Sequence, residues 1–398
     1  MRKRELPSLY SERWLRDTRL QEVLRVLNEY GETRVAGGAV RNALLGVAVA
    51  DVDLATVLLP EEVMRLSKIA GFGVHPTGLD HGTVTVTHAG AAFEVTTLRK
   101  DMETNGRHAV VSFTDNWRQD AARRDFTFNA MYCDSEGKIH DFTEGYDDVL
   151  KHRVKFVGRP SQRIREDWLR ILRFFRFNAQ YGKGKLDEAG FKACVRLRTG
   201  LKSLSAERLR QELFKLLAGR RAVEVLKLMS ASGILKIILP HTEEYRIVRR
   251  LPADPVLRLF VLAQEPLALK DRLRLSNVDA SRLQVLSSVP NLSPSLKPAE
   301  RQRMLHHVGV ENWRDAVQLS WARSRAGLDD PAWAELLELP KHWTPPGFPI
   351  KGSDLLAAGF AAGPKVGHVL AALEDWWVAS DFTPSKADLL MRAGRYRE

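Results

Sequence analysis

Alternating apolar and polar positions mark short segments between residues 33 and 99 of the chain. The alternation is clearest in the last three of the four segments TRVAGGAV, VADVDLAT, GTVTVTH and AFEVTTLR. They are rich in β-branched residues and separated by glycine-bearing turns, which is typical of β-strands. From about residue 160 onward apolar residues recur at helical spacing. Strands first and helices afterwards predict an α+β head followed by all-α domains.

Three segments carry the helical pattern most clearly. REDWLRILRFFRF (165–177) predicts one helix whose aromatic residues belong to the core, and SAERLRQELFKLLAGRRAVEVLKLM (205–229) predicts another, with Ser205 as its N-cap. In the C-terminal segment GSDLLAAGFAAGPKVGHVLAALEDWWVAS we expect two helices, broken at Gly363-Pro364.

The length and composition indicate a soluble protein of several domains. A chain of 398 residues is too long to fold around a single hydrophobic core. The proline-bearing stretches 291–300 and 340–349 are typical of linkers between domains. No run of roughly 20 apolar residues is present, so we expect no membrane span. The basic N-terminal residues have no apolar run behind them, and the two cysteines suit no disulfide framework. We therefore expect a cytoplasmic location.

The formal net charge of +12 favours an anionic binding partner. An excess of this size attracts a polyanion, of which nucleic acid is the commonest. A solubilising surface explains the same charge equally well. The sequence gives no oligomeric state.

A glycine pair lies between a predicted strand and a predicted helix in VAGGAVRNALLG (35–46). Gly37 and Gly38 let the backbone approach a phosphate, and the N–H groups of the following helix face the same anion. Arg41, just inside that helix, adds charge-assisted hydrogen bonds. A turn with no ligand fits the same pattern.

Three acids suggest a metal site next to these glycines. If residues 51–53 form a strand, Asp51 and Asp53 share one face, and side-by-side carboxylates repel each other unless a cation neutralises them. Glu94 joins them if its strand is a neighbour. Three such carboxylates suit two Mg²⁺ ions, as in nucleotidyl transfer. Solvated acids at a strand end are the alternative for the aspartates, and a cross-strand surface position is the alternative for Glu94.

Together the motifs resemble a known family. GGAVRNALLG, DVDLAT, FEVTTLRKD, RRDFTFNAM, REDWLRILRFFRF and SAERLRQEL occur in the order found in the class II, or bacterial, CCA-adding tRNA nucleotidyltransferases, a family that includes bacterial poly(A) polymerases. The resemblance covers about residues 30–220, and GSDLLAAGFAAGPKVG is similar to a C-terminal segment of the family. It implies a polymerase-β-like nucleotidyltransferase head (1–150), followed by a helical neck (151–235), body (236–340) and tail (341–398) that hold the tRNA acceptor arm.

The resemblance implies an enzyme that adds CMP, CMP and AMP from CTP and ATP to the tRNA 3′ end without a template, with Mg²⁺ as its cofactor. It implies that Asp51 and Asp53 are the metal ligands and that Glu94 is a third catalytic carboxylate. Asn42 departs from the family, which usually has Asp there. The nucleotide-binding residues implied are Gly38, Arg41, Arg124, Asp125, Glu166, Asp167, Arg170, Arg173 and Arg176.

An enzyme without a template selects the base with its own side chains. Asp167 and Arg170 are three apart and would share one face of a helix. The carboxylate accepts hydrogen bonds and the guanidinium donates them, which suits cytosine and adenine and leaves unpaired groups against uracil and guanine. By resemblance Glu166 orients Arg170. A solvated polar stripe is the alternative in the absence of the head motifs.

Selecting both C and A requires the pocket to change between additions. The stretch VGRPSQ (157–162) is a candidate hinge, and the polar segment 100–119 resembles a flexible loop needed to add the final A. Its apparent full length favours complete CCA addition. A poly(A) polymerase, a CC-adding or A-adding enzyme, and a non-catalytic RNA-binding protein are the alternatives.

Overall fold

The computed structural model describes residues 5–101 and 111–396. The chain divides into two compact units, Met1–Pro240 and His241–Glu398. Every strand of the described residues lies in the first unit, and the described part of the second unit is helical. This arrangement confirms the predicted α+β head followed by helices.

A mixed sheet forms the centre of the first unit. The strands of the described residues are β1 (Thr33–Ala36), β2 (Asp53–Thr56), β3 (Gly73–Gly78), β4 (Thr83–His88), β5 (Ala91–Thr97), β6 (Arg99–Asp101), β7 (Val111–Phe113), β8 (Met131–Cys133) and β9 (Ile139–Asp141). The strand order in the sheet is β3-β4-β5-β2-β1-β8-β9, and β6 pairs with β7 separately. β2 and β5 are parallel, whereas the other pairs in the sheet are antiparallel. The four predicted segments correspond to β1, β2, β4 and β5.

Helices of the first unit flank the sheet and continue beyond it. They are α1 (Thr18–Asn28), α2 (Gly38–Leu44), α3 (Pro60–Ile69), α4 (Trp117–Arg123), α5 (Gly145–Leu150), α6 (Pro160–Glu166), α7 (Leu169–Gln180), α8 (Glu188–Arg196), α9 (Ala206–Leu217), α10 (Ala222–Ala231) and α11 (Ile234–Ile238).

The segment 165–177 is not the single helix that its apolar spacing predicts. α6 ends at Glu166, Asp167 has extended backbone (φ −151°, ψ 109°), and α7 begins at Leu169. The phenylalanines of α7 are buried as predicted, whereas Trp168 is half-buried. The apolar period continues across the break, which explains why the pattern does not reveal it.

The segment 205–229 is also two helices. Ser205 caps α9 as predicted, its hydroxyl accepting a hydrogen bond from the backbone N–H of Arg208. α9 ends at Leu217, and α10 begins at Ala222. A Cβ at Gly219 would lie 2.8 Å from Cβ of Ala179, so the connection between the two helices needs glycine to pass close to α7.

The helices of the second unit in the described residues are α12 (Tyr245–Arg250), α13 (Pro255–Leu262), α14 (Leu269–Arg272), α15 (Asn277–Ser288), α16 (Pro298–Val308), α17 (Val310–Arg323), α18 (Pro331–His342), α19 (Gly352–Ala357), α20 (Pro364–Ala379) and α21 (Lys386–Ala393). Hydrophobic clusters of this unit lie around Trp313 and around Trp377. The predicted helix break at Gly363-Pro364 is confirmed, because α19 and α20 lie on either side of it. The predicted four-domain boundaries stay a prediction.

In the described part of the chain, no helix combines the length and the apolar character that crossing a membrane requires.

Candidate active site

One cavity of the first unit, with a volume of about 700 Å³, brings together nearly all of the predicted site residues. Its walls come from the β1–α2 turn, the strands β2 and β5, the end of α4, and the helices α7 and α9. Glu166 is the one predicted site residue that does not line it. Those that do are Gly38, Arg41, Asp51, Asp53, Glu94, Arg124, Asp125, Asp167, Arg170, Arg173 and Arg176.

The glycine pair joins β1 directly to α2 at the wall of this cavity. Gly37 has φ 64°, in the left-handed region that favours glycine. A Cβ at this position would lie 3.1 Å from the backbone oxygen of Asn129 and 3.2 Å from Nη1 of Arg124. Both the backbone conformation and the close approach therefore require glycine, and the predicted strand–turn–helix unit is confirmed.

Arg41 is a buried cation of the cavity wall, with only 7% of its surface exposed. Its guanidinium donates hydrogen bonds to Oδ1 of Asn129, to the hydroxyl of Tyr181 at 3.2 Å, and to Oδ1 of Asn42 at 2.9 Å. Burial lowers the pKa of Arg41 below its ordinary value, although a guanidinium keeps its charge at neutral pH. Asn42 thus provides a neutral acceptor at the position where the resemblance implies an aspartate.

Asp53 and Glu94 lie on adjacent strands at the cavity. Asp53 is the first residue of β2, and the pairing of Leu54 with Val95 places Asp53 and Glu94 side by side in the parallel register. The expectation that these strands are neighbours is confirmed. The strand argument for Asp51 is wrong, because β2 begins only at Asp53. Asp51 nevertheless lines the same cavity from the loop before the strand.

The electrostatics of these acids favour a bound cation. Burial and the charge of Glu94 raise the pKa of Asp53, with a smaller contribution from Asp51 and an opposing one from Arg124. Within residues 5–101 and 111–396, no three His, Cys, Asp or Glu side chains form a ready-made metal-binding group. The carboxylates are nevertheless hard oxygen donors of the type that divalent cations such as Mg²⁺ prefer, so the residues present fit such an ion.

A buried acid that the sequence analysis missed holds Arg124 at the cavity. Oδ2 of Asp120 accepts hydrogen bonds from Nε of Arg124 at 3.1 Å and from the hydroxyl of Tyr132 at 2.6 Å. Oδ1 of Asp120 pairs with Arg123 at 2.5 Å. Burial acts to raise the pKa of Asp120, but Arg124 and Arg123 outweigh it and lower that pKa to about 2. The i, i+3 and i, i+4 spacing of acid and arginines on α4 is a signal that could have identified this residue.

Asp125 connects the segment after α4 to α7. Its Oδ2 accepts a hydrogen bond from Nε of Arg173 at 2.7 Å, and its Oδ1 accepts one from Nδ2 of Asn129 at 3.2 Å and one from the backbone N–H of Phe126 at 2.8 Å. Burial acts to raise the pKa of Asp125, but Arg173 outweighs it and holds that pKa below its ordinary value. Because protein groups already occupy this carboxylate, its implied contact with the nucleotide stays a prediction.

Arg176 pairs with Glu212 of α9, a second residue that the sequence analysis missed. Nε of Arg176 lies 2.8 Å from Oε2 of Glu212, and both side chains are about nine-tenths buried. Burial lowers the pKa of Arg176 to about 10, although Glu212 opposes the shift. Glu212 belongs to the SAERLRQEL motif, and its position in that motif was the available signal.

Arg170 is held by three acceptors of the protein. It donates to Oε2 of Glu166 at 2.6 Å and to the backbone oxygens of Arg163 at 2.9 Å and Arg123 at 3.1 Å. Glu166 also lies 2.5 Å from Nη2 of Arg163. This geometry agrees with an orienting role of Glu166 from outside the cavity, and that role stays a prediction.

Asp167 and Arg170 both line the cavity, but they do not share the face of one helix. The prediction that they do is wrong, because Asp167 lies in the extended break between α6 and α7. Its carboxylate accepts hydrogen bonds from Nη2 of Arg208, at 3.0 Å on Oδ1 and 2.9 Å on Oδ2. Arg208 lines the cavity from α9, and the sequence analysis did not identify it.

The cavity thus combines carboxylates at one strand edge with several fixed guanidinium groups. Guanidinium groups bind phosphate oxygens with charge-assisted hydrogen bonds, and carboxylates hold the divalent cations that accompany phosphates. This combination is suited to transferring part of a nucleoside triphosphate.

Comparisons with known proteins decide the family. The family model described as "Poly A polymerase head domain" matches residues 33–155, and the one described as "Probable RNA and SrmB- binding site of polymerase A" matches residues 185–246. The mitochondrial CCA tRNA nucleotidyltransferase 1 of Danio rerio is 34% identical over 387 residues, covering 90% of this chain and 86% of that protein. The chain belongs to the CCA-adding enzyme and poly(A) polymerase family.

Other members of this family are similar in sequence or structure. The CCA-adding enzyme of Geobacillus thermodenitrificans is 38% identical over 58% of this chain and 57% of that protein. The crystal structure of the Bacillus stearothermophilus CCA-adding enzyme in complex with CTP has a TM-score of 0.79 and 27% identity, covering 96% of this chain and 98% of that one. The Thermotoga maritima CCA-adding enzyme complexed with tRNA shares the fold, with a TM-score of 0.63, 21% identity, and coverage of 95% and 94%. The predicted family and the nucleotidyltransferase class are confirmed.

Proposed function

We propose that this protein adds CMP, CMP and AMP from CTP and ATP to the 3′ end of tRNA, without a nucleic-acid template. The observation that carries this proposal is that the three acids and the base-selecting residues Asp167 and Arg170 line the same cavity. A polymerase without a template needs its catalytic acids and its base-selecting groups to contact the same bound nucleotide. The names of the relatives support the same activity.

The reaction exchanges one bond at phosphorus for another. The oxygen of the tRNA 3′-hydroxyl attacks the α-phosphorus of the triphosphate while its proton passes to water, the bond between that phosphorus and the bridging oxygen breaks, and pyrophosphate leaves. Asp51 and Asp53 would hold Mg²⁺, with Glu94 beside Asp53 as the third carboxylate. When bound, such an ion stabilises negative charge on phosphoryl oxygens.

Fixed cations of the head would bind the triphosphate. Arg41 is buried against Asn129 and Tyr181, and Arg124 is held by Asp120, so both guanidinium groups lose little freedom when a phosphate binds. Gly38 lies at the start of α2 on the same wall, where its backbone can approach the nucleotide. Arg173 and Arg176 extend this charge along α7, each paired with an acid.

Asp167 and Arg170 would select the base. The carboxylate accepts a hydrogen bond from the exocyclic amino group of C or A, and the guanidinium donates one to the neighbouring ring nitrogen. Uracil and guanine present the reverse pattern, so each leaves polar groups unpaired at a cost of about 1–3 kcal/mol per group. This discrimination does not depend on a shared helix face, only on both groups facing one base.

The pocket must change its size between C and A. Gly158 has φ 64°, and Pro160 begins α6, which supports a hinge at residues 157–162. Residues 102–110 of the predicted loop lie outside the described residues. The strands on either side of them, β6 and β7, pair in antiparallel orientation.

For the cellular location we propose the cytoplasm. Cys133 and Cys194 are both free and buried, as suits a reducing compartment. The vertebrate relatives are named as mitochondrial proteins, so fractionation of the source cells is the measurement that decides between the two compartments.

The deciding experiment incubates the protein with a tRNA that lacks its CCA end and with each of the four triphosphates separately. We expect two C residues from CTP alone, and a final A only after both C residues are present. A poly(A) polymerase would add A without C, whereas a CC-adding or A-adding enzyme would give only its part of the sequence. Sequencing the product ends distinguishes these outcomes.

A matched control tests the remaining alternative. A non-catalytic RNA-binding protein would keep its function when Asp51→Asn and Asp53→Asn are introduced. We expect these variants to bind tRNA as the wild type does and to incorporate no nucleotide.

A further inference from the structure

Arg208 makes a two-point contact with the carboxylate of Asp167. Its Nη2 lies 3.0 Å from Oδ1 and 2.9 Å from Oδ2. Arg208 belongs to the first turn of α9, where its backbone N–H donates to the N-cap hydroxyl of Ser205 at 3.4 Å. The cap therefore fixes the position of Arg208 in the first turn of α9. Both Arg208 and Asp167 line the cavity.

Asp167 is in a position that needs such a partner. It lies in extended backbone between α6 and α7, so no helical neighbours restrict its side chain. One other group described in the structure holds the carboxylate, the backbone N–H of Leu169, which donates to Oδ1 at 3.1 Å. Without Arg208, a single hydrogen bond to one oxygen would leave Oδ2 free to rotate away from the cavity.

The contact leaves the acceptor that a base requires. Two carboxylate oxygens offer about four lone-pair positions. Oδ1 of Asp167 accepts from Arg208 and Leu169, and Oδ2 accepts from Arg208 alone. One position on Oδ2 therefore remains for an exocyclic amino group, and Arg208 does not need to leave when C or A binds.

The donor half of the base-selecting pair is held in a comparable way. Arg170 donates to Glu166 and to two backbone oxygens, which accounts for three of its five N–H groups. Two N–H groups remain for the ring nitrogen of a base. Glu166 thus holds the guanidinium of Arg170, and Arg208 holds the carboxylate of Asp167.

We propose that Arg208 is a positioning residue that fixes the Asp167 carboxylate for base selection. This inference rests on the proposed function, in which Asp167 accepts a hydrogen bond from the base. The pair is partly exposed, with 48% of the Arg208 side chain and 32% of the Asp167 side chain accessible. Exposed ion pairs stabilise a fold little, so we expect variants at position 208 to fold.

The test compares Arg208→Ala and Arg208→Lys with the wild type on a tRNA that lacks CCA. We expect Arg208→Ala to raise the KM for CTP about tenfold and to raise the ratio of U to C incorporation by a similar factor, with a smaller change in kcat. Arg208→Lys keeps a donor for one oxygen and should recover part of the discrimination. Arg210→Ala is the matched control, because it removes an arginine from another face of the same helix.

A double variant separates positioning from other roles. If Arg208 acts through Asp167, Arg208→Ala should add no further loss of discrimination to Asp167→Ala. Unchanged discrimination in Arg208→Ala would overturn the proposal. So would a lower KM for CTP in Arg208→Ala, because that result would mean that the arginine competes with the base for Asp167.

The proposed function can fail independently of this inference. If the wild type incorporates no C into the truncated tRNA, the proposed function is wrong whatever the variants do. If the wild type adds C, C and A and Asp167→Ala loses base discrimination, only the role of Arg208 is under test. Thermal unfolding of each variant verifies that the compared proteins are folded.

Discussion

Arg173 of α7 holds one carboxylate oxygen of Asp125 between its Nε, at 2.7 Å, and its Nη2, at 2.6 Å. The contact joins residues 48 positions apart and fastens α7 to the segment that follows α4. Only 10% of the Asp125 side chain is exposed, so water does not replace the contact when it is lost.

Asp125→Asn should therefore destabilise the protein. The substitution keeps the shape of the side chain but removes the charge that neutralises Arg173. We expect the free energy of unfolding to fall by about 2 kcal/mol, as for the loss of a hydrogen bond to a charged group. Urea unfolding at neutral pH measures the change.

Glu188→Gln provides the control for this prediction. It removes the pairing of Glu188 with Lys192 on the surface of α8, where 79% and 73% of the two side chains are exposed. Such a pair contributes little to stability. If Asp125→Asn costs no more than Glu188→Gln, Arg173 does not depend on Asp125.

Gly37→Ala should weaken both folding and nucleotide binding. An alanine at φ 64° is strained by about 1–2 kcal/mol, and its Cβ would approach Asn129 and Arg124 at 3.1 and 3.2 Å. Gly46→Ala is the control, because Gly46 has the same φ and its Cβ would meet no atom of the described residues within 4 Å. We expect both variants to lose stability and only Gly37→Ala to raise the KM for CTP. Equal KM values would mean that the crowding at Gly37 is unimportant.

Four of the nine strands in the described residues, and most of the site, were predictable from the sequence because their signals are local. Alternation identifies β1, β2, β4 and β5, and the register of β2 and β5 brings Asp53 beside Glu94 as expected. β3 was missed because its sequence, GVHPTG, lacks a clear alternation and carries proline. Its burial pattern is mostly exposed, so the packing that gives a strand its apolar face is absent there.

The partners of the site residues were not predictable, because they depend on contacts between distant segments. Asp167 was expected to share a helix face with Arg170, three positions away. It lies instead in extended backbone and pairs with Arg208, 41 positions away. The apolar period runs through residues 165–177 without interruption, so only the structure reveals the break at Asp167 that permits this pairing. Glu212 was missed for the same reason, since its role depends on the packing of α9 against α7.

Asp53→Asn should greatly lower activity and still unfold at a temperature no lower than the wild type. Burial and the repulsion from Glu94 raise the pKa of Asp53 because both disfavour its charged carboxylate, so the uncharged variant loses a source of instability. Activity should fall about a thousandfold if a cation at this position supplies several kcal/mol of stabilisation in the reaction. Nucleotide incorporation in Mg²⁺ and thermal unfolding in a chelator measure the two effects. A variant that is less stable than the wild type in the chelator would show that Asp53 has a structural role instead.

The buried network around Asp120 should make stability depend on pH in acid. Arg124 and Arg123 lower the pKa of Asp120 to about 2, below the ordinary value near 3.9, so the folded state favours the charged carboxylate. Its contribution is complete above pH 3.9 and is lost as the pH falls toward 2, which amounts to about 2 kcal/mol for this one group. Asp120→Asn should be less stable than the wild type at pH 7, and the difference should shrink as the pH falls from about 4 to about 2. Urea unfolding of both proteins across this range measures it, and a difference that stays constant with pH would mean that Asp120 does not titrate with a lowered pKa.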